Sequence, residues 1–318
     1  MKPVRIAAIL ILAAICFGAL LGPTLAPYSY DRQFRDSPAA PPGGHFLLGT
    51  DEIGRDRFSR LLYATRISIL LAPAAAAVSV ALALLIAPLA AGRNFARPVV
   101  SVVTTICLAL PWIFLFIILR AELPLDTGPV VSVLLTFGLM GVAGWAWPAR
   151  IFSAAIGDMQ KSGWMLHARA SGISRWRIAL VHVWPHLRAV AIAQFRVLVP
   201  AYILAEASLG LLGLGVPEPL PSWGNLLRDL QHPDLIRSNP WILAPLILLM
   251  IVMICLEALQ SGPLLAGEIE YCAPRRLPLQ RSSHSRPSPA ATLRQPVPIK
   301  TSCASPSPAI RKPSIRSK

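Results

Sequence analysis

Trp164 to Pro185 reads WMLHARASGISRWRIALVHVWP, a basic, glycine-broken insert between long apolar runs. Those runs decide the fold. Six of them, approximately residues 6–22, 67–92, 98–119, 128–148, 190–213 and 241–260, are long enough to cross a bilayer, whose hydrocarbon core of about 30 Å takes about 20 helical residues. Lipid offers a bare backbone no hydrogen-bond partner, so each run must be a helix or part of a closed barrel. Runs of this length without period-two alternation exclude the barrel. The chain therefore reads as an all-α membrane protein with about six transmembrane helices.

Composition agrees. With 54% hydrophobic and 14% charged residues among 318, and a mean hydropathy of +0.58, there is too little polar surface for a soluble domain. The formal charge of +15 would suggest nucleic acid on a soluble surface, but it is concentrated. Ten of the thirty Lys and Arg, and none of the fifteen acids, lie in the 46 residues after Cys272. The remainder is only mildly basic, so no nucleic-acid partner is expected. Cys16, Cys107 and Cys255 fall within apolar runs and no cysteine has a CxxC partner, so they read as small hydrophobes rather than as disulfides or metal ligands.

Four parts follow in order. Residues 1–27 form a first transmembrane helix; a signal peptide is the alternative, opposed by the length of the run and by Pro27 directly after Thr24-Leu25-Ala26. Residues 28–66 form an external loop and amphipathic segment, and 67–262 a five-helix core with a cytoplasmic loop at 150–189. Residues 263–318 form a cytoplasmic basic Pro/Ser-rich tail, expected to be disordered because from Ala273 onward it is dominated by Pro, Ser and cations and is too poor in large apolar residues to bury a core. Its cations suit anionic lipid headgroups; a solvated tail without a function, or a changed reading frame, are the other readings. With both termini inside, the cytoplasmic side receives Lys2, Arg5, Arg93, Arg97, Arg150, Lys161, Arg169, Arg175, Arg177, Arg188 and the tail. That is the side the positive-inside rule prefers, although Arg32, Arg35, Arg55, Arg57, Arg60 and Arg66 then lie outside.

The chain has no GxxxxGK[ST], HExxH or GxSxG, so energy for any transport must come from a partner or a gradient. His182 and His186 stand four apart, but no acid or cysteine is near in sequence, which favours a structural or interfacial role over a metal site. Gly172 permits a tight turn or close approach of a partner, and Trp164, Met165, Leu166, Ile173 and Trp176 are read as apolar surface exposed between cations. Such surface suits a docking element at a membrane's cytoplasmic face.

The pattern Ala168, Gly172 and His182-Val183-Trp184-Pro185 resembles the cytoplasmic EAA loop of binding-protein-dependent ABC importer permeases. LLGTDEIGRDRFSRLLYATRISI (Leu47–Ile69) and LAEASLGLLGLGVPEPLPSWGNLL (Leu204–Leu227) are similar to characteristic stretches of the dipeptide, oligopeptide and nickel branch, and the resemblance covers roughly residues 1–262. It implies the type I permease fold in a cell's inner membrane. It implies a second homologous permease, two cytoplasmic ATPases that bind the ATP, an extracytoplasmic substrate-binding protein, and no cofactor or catalytic residue in this chain. Leu166, Ala168, Gly172, Arg175, Trp176, His182 and Pro185 then form the ATPase-coupling element. The family's acidic opening position falls on Leu166, so the usual acid is missing.

Inside the fifth run, Arg196 and Glu206 each cost roughly 2.5–3.5 kcal/mol at mid-span on insertion scales. Arg196 is near the inner end and can snorkel; Glu206 either lines the translocation path or holds helices together. Gly210, Gly213 and Gly215 with Pro217, Pro219 and Pro221 end the span, and Trp223 is expected to anchor the returning loop at the outer interface. Asp51, Glu52 and Asp56 make a poor metal cluster beside Arg55 and Arg57. The expected function is the permease subunit of an ATP-driven importer for peptides or a solute such as nickel. A gradient-driven carrier and a non-transporting scaffold are the rivals.

Overall fold

The computed structural model describes residues 2–91, 96–111, 114, 117–118 and 128–260. Among them the regular structure is helical, with two isolated β-bridges, Gln33 to Arg55 and Thr50 to Asp56. The main helices are α1 (Lys2–Leu20), α2 (Arg57–Ala91), α3 (Ala96–Ala109), α4 (Pro129–Ala143), α5 (Ala146–Lys161), α6 (Gly163–Ala170), α7 (Trp184–Leu211), α8 (Trp223–Arg228), α9 (Pro233–Ser238) and α10 (Ala244–Gln260). Five described stretches are long and apolar enough to cross a membrane: Pro3–Leu20, Arg57–Ala91, Pro129–Lys161, Trp176–Leu211 and Pro240–Gln260. The run at 98–119 is helical over α3 and then passes into residues outside the described set. The tail expected from residue 263 lies outside it too.

The axis of the bundle is α2, which packs against α1, α3, α4, α5 and α7. Its 35 residues span about 52 Å at 1.5 Å per residue, more than the hydrocarbon core of about 30 Å. The amphipathic segment and the second span are thus one continuous helix, since no residue between Arg57 and Ala91 breaks it; even Pro73 and Pro88 sit inside. Its start is set by Asp56, whose carboxylate accepts from the backbone N–H of Ser59 at 2.8 Å and from its hydroxyl at 2.6 Å. That satisfies an orphan donor of the first turn. Ala64, Ser68, Ala72, Ala76, Ser79, Ala83 and Ala87 are fully buried along one stripe. Small side chains there let neighbouring helices approach closely, which replaces the hydrophobic drive that lipid abolishes. The lipid side is apolar but exposed, as at Ile6, Leu10 and Phe17 of α1.

At the Lys2 end, three helices meet at one acceptor. The carbonyl of Leu259, in the last turn of α10, accepts from Arg5 of α1 at 3.3 Å and from Arg196 of α7. Cations at a helix C-terminus satisfy free carbonyls and complement the helix dipole. Arg196 therefore turns to a protein carbonyl. At the opposite end, α8 lies across α7 where Gly210 meets Gly224; a Cβ on Gly210 would stand 2.3 Å from the Gly224 Cα. Trp223, expected at the interface, is wholly buried instead, because its indole N–H donates to the Thr65 hydroxyl at 3.0 Å.

Candidate functional site

The basic element expected to dock grows out of α5 at the Lys2 end. Gly163–Ala170 forms α6, and its C-terminus closes with Gly172 at φ +72°. The N–H of Gly172 donates to the Arg169 carbonyl at 3.1 Å, and that of Ile173 to the Ala168 carbonyl at 3.2 Å. This is the Schellman arrangement, which needs a left-handed residue that glycine supplies without a Cβ penalty. The space around Gly172 is open, with nothing within 4 Å of an ideal Cβ.

Beneath the turn lies a small satellite core of Met165, Ala168 and Ile178, with Ile173 and Val183 packed against it. The expectation that Met165 is exposed is therefore wrong: it sits three residues before Ala168, so both point inward on the same helical face. Ala168 supports the element from below rather than presenting it. Leu166 and Trp176 do present themselves, at 59% and 74% exposed. Arg175 opens a helical turn, Arg175–Ile178, which runs into a π turn, Ala179–Val183. Pro185 then follows the π turn as the second residue of α7; having no N–H, it interrupts the hydrogen-bond ladder of a helical stretch continuous from Trp176 to Leu211.

His182 and His186 are brought together by Trp164, which the coupling set omits. The Trp164 ring centroid lies 5.6 Å from that of His182 and 6.2 Å from that of His186, stacked on the latter. The His186 Nδ1–H donates to the His182 carbonyl at 3.0 Å. The four-residue spacing of the histidines thus serves to grip an indole, fastening α6 to the root of α7. The sequence signal was present in that spacing; only its partner was missing.

Glu206 is fully buried on α7. Its Oε2 accepts from Ser68 of α2 at 3.3 Å, and Ser222 and the Gly224 N–H also face the carboxyl. Oε1 has no partner among the described residues. A mid-span apolar cavity of about 300 Å³ is walled by Cys107, Leu110, Met140, Trp147, Leu198 and Tyr202, and Glu206 is not part of that wall. The carboxyl lies instead where α2, α7 and the approach to α8 converge.

At the Arg57 end an ion-paired collar joins distant parts of the chain. Asp51 accepts from the N–H groups of Ile53 and Arg55 and pairs with the Arg55 guanidinium at 2.6 Å. Glu218 bridges Arg55 at 2.6 Å and Arg60 at 2.9 Å, while Arg57 pairs with Asp229 at 2.7 Å. Burial pulls the Arg55 guanidinium down, but Asp51 and Glu218 outweigh it and hold its pKa above the ordinary value. Asp51 and Asp56 are thus engaged by arginine, backbone and Ser59. These pairs, more than 150 residues apart in places, had no sequence signal.

Long apolar helices around a small-residue axis, with a basic element outside the bundle, are the architecture of a multi-pass membrane protein. The family described as the binding-protein-dependent transport system inner membrane component matches residues 73–261, and the chain belongs to it. It is accordingly a permease subunit of the ABC importer class. It is 33% identical over 244 residues to the di/tripeptide transport system permease protein DppC of Pseudomonas aeruginosa, covering 74% of this chain and 78% of that protein. Identity to the oligopeptide transport system permease protein OppC of Escherichia coli K12 is 31% over 262 residues, 81% and 84% of the two chains. For the dipeptide transport system permease protein DppC of Bacillus subtilis it is 28% over 259 residues, 80% and 78%.

Proposed function

We propose that this subunit forms part of the membrane pathway of an ATP-driven importer for di- or oligopeptides. Its partners are a second homologous permease, two cytoplasmic ATPases that bind and hydrolyse the ATP, and an extracytoplasmic substrate-binding protein. Both termini face the cytoplasm, which puts Lys161, Arg169 and Arg177 on the side that the positive-inside rule favours for cations. The peptide assignment is supported by the names of the relatives above. The single observation that carries the mechanism is the grip of Trp164 by His182 and His186, because it ties an exposed element directly to the start of a span. Closure of the ATPases on α6 is then transmitted into α7, and the coupling contact is made by Leu166, Gly172, Arg175 and Trp176, with Ala168, His182 and Pro185 holding them in place. Glu206 acts as a clamp between helices, a reading supported by its complete burial.

Uptake of radiolabelled di- and tripeptides should fall to background in cells lacking this chain and return with it. Uptake of nickel in place of peptide would reassign the substrate. Uptake that persists without ATP and collapses with the ion gradient would favour a secondary carrier.

A further inference from the structure

The cations of the docking element differ from those of the ion-paired collar at the Arg57 end. Arg55, Arg57 and Arg60 all end on carboxylates of this chain. Arg169 and Arg177 are exposed and have no ion-pair partner among the described residues. Nor is an acid near in sequence, for none occurs between Asp158 and Glu206. Two large apolar side chains, Leu166 and Trp176, lie exposed on the same element. The element is pre-formed, because the Met165–Ala168–Ile178 core, the Gly172 turn and the Trp164 stack fix it from within. Preorganisation removes much of the ordering entropy that a loop would lose on binding.

Resting on the docking reading above, the geometry points to the chemistry of the surface that receives this element: an apolar groove on the ATPase rimmed by Asp and Glu. Leu166 and Trp176 fill the groove, and Arg169 and Arg177 meet its rim. An interface core of aromatic and aliphatic anchors surrounded by complementary charge is the arrangement that combines affinity with orientation. A neutral or basic groove would leave the arginines facing apolar or like-charged surface, which like-charge juxtaposition disfavours.

The test uses the full-length chain, affinity-tagged and purified from its native membranes with whatever P-loop ATPase it retains. In an Arg169→Glu/Arg177→Glu variant the retained ATPase should fall by about tenfold or more, and in wild type it should fall as salt is raised. In the Arg169→Lys/Arg177→Lys variant, binding should persist. A zero-length carbodiimide should then join those lysines to Asp or Glu residues of the ATPase, identified by mass spectrometry. If charge reversal leaves the ATPase bound and salt has no effect, while Trp176→Glu releases it, docking stands and the acidic rim is refuted. If reversal leaves the ATPase bound but strips co-purifying anionic phospholipid, the arginines serve the membrane and the inference fails. If wild type retains no P-loop ATPase, the docking reading fails and this inference with it.

Discussion

The indole N–H of Trp223 donates to the Thr65 hydroxyl at 3.0 Å, joining α8 to α2 across 158 residues of chain. Both residues are buried, so neither can turn to water instead. Thr65→Val keeps the shape and leaves the indole unpartnered, at a cost of about 1–3 kcal/mol. Thermal unfolding of the detergent-solubilised chain should shift down by about 2–4 °C per kcal/mol. Trp223→Phe should cost less in the Thr65→Val background than alone, and equal costs in both would show that the bond is not made.

Gly210 and Gly157 offer a contrast at one residue type. A Cβ at Gly210 meets the backbone of Gly224 at 2.3 Å, whereas one at Gly157 meets nothing within 4 Å. Backbone cannot swing aside as a side-chain tip can, so Gly210→Ala should sharply lower the amount of folded protein in the membrane. Gly157→Ala should match or exceed wild type, since alanine favours a helix interior by about 1 kcal/mol over glycine. Quantitative immunoblots of membranes read both.

Much of this was legible beforehand, and the misses are physical. The apolar runs announced the helices, and Gly172 and Gly213 announced the turns that end α6 and α7, because glycine after a helical run signals a left-handed cap. Met165 was open to a better reading, since its three-residue offset from Ala168 puts the two on one face. Trp223 was not, for tryptophan suits both a membrane interface and a hydrogen-bonded core, and only Thr65 decides between them. The bond of Arg196 to Leu259 and the hold of Glu218 on Arg60 depend likewise on partners far off in sequence.

At Gly172 the turn and the partner contact can be separated. Asn and Asp tolerate the left-handed region far better than β-branched residues, so Gly172→Asn and Gly172→Asp should both insert and fold. Gly172→Val should strain the turn by about 1–2 kcal/mol. With an acidic groove opposite, Asp should release the ATPase and abolish uptake more completely than Asn. Equal, wild-type uptake in both would remove Gly172 from the contact.

Glu218 holds two arginines, one of them only 3% exposed, while Asp229 holds one. Glu218→Gln loosens the hold on two largely buried cations, whereas Asp229→Asn loosens it on Arg57 alone. Glu218→Gln should therefore lower the unfolding temperature more than Asp229→Asn. An equal shift in the two variants would mean that Arg60 finds water.

The orientation is checked with single cysteines in a chain otherwise lacking them. Gly44→Cys, exposed and unobstructed, should react with an impermeant thiol reagent added outside, and Ser174→Cys should react only after the membrane is opened. External labelling at 174 would invert the topology and move the docking element to the wrong side of the membrane.

Helix α7 is held near its middle, by the Leu259 carbonyl through Arg196, and near its far end, by the crossing of Gly210 on Gly224. A rod pinned at one end swings; a beam fixed at two points has to flex between them. Pro200 lies in that interval and gives the Arg196 carbonyl no N–H four residues on. The weakest rung of the helix thus begins at the very residue that anchors it, so under the coupling proposed above a push at Trp184 would pivot about Arg196 and bend the helix at Pro200 rather than tilt it as a whole.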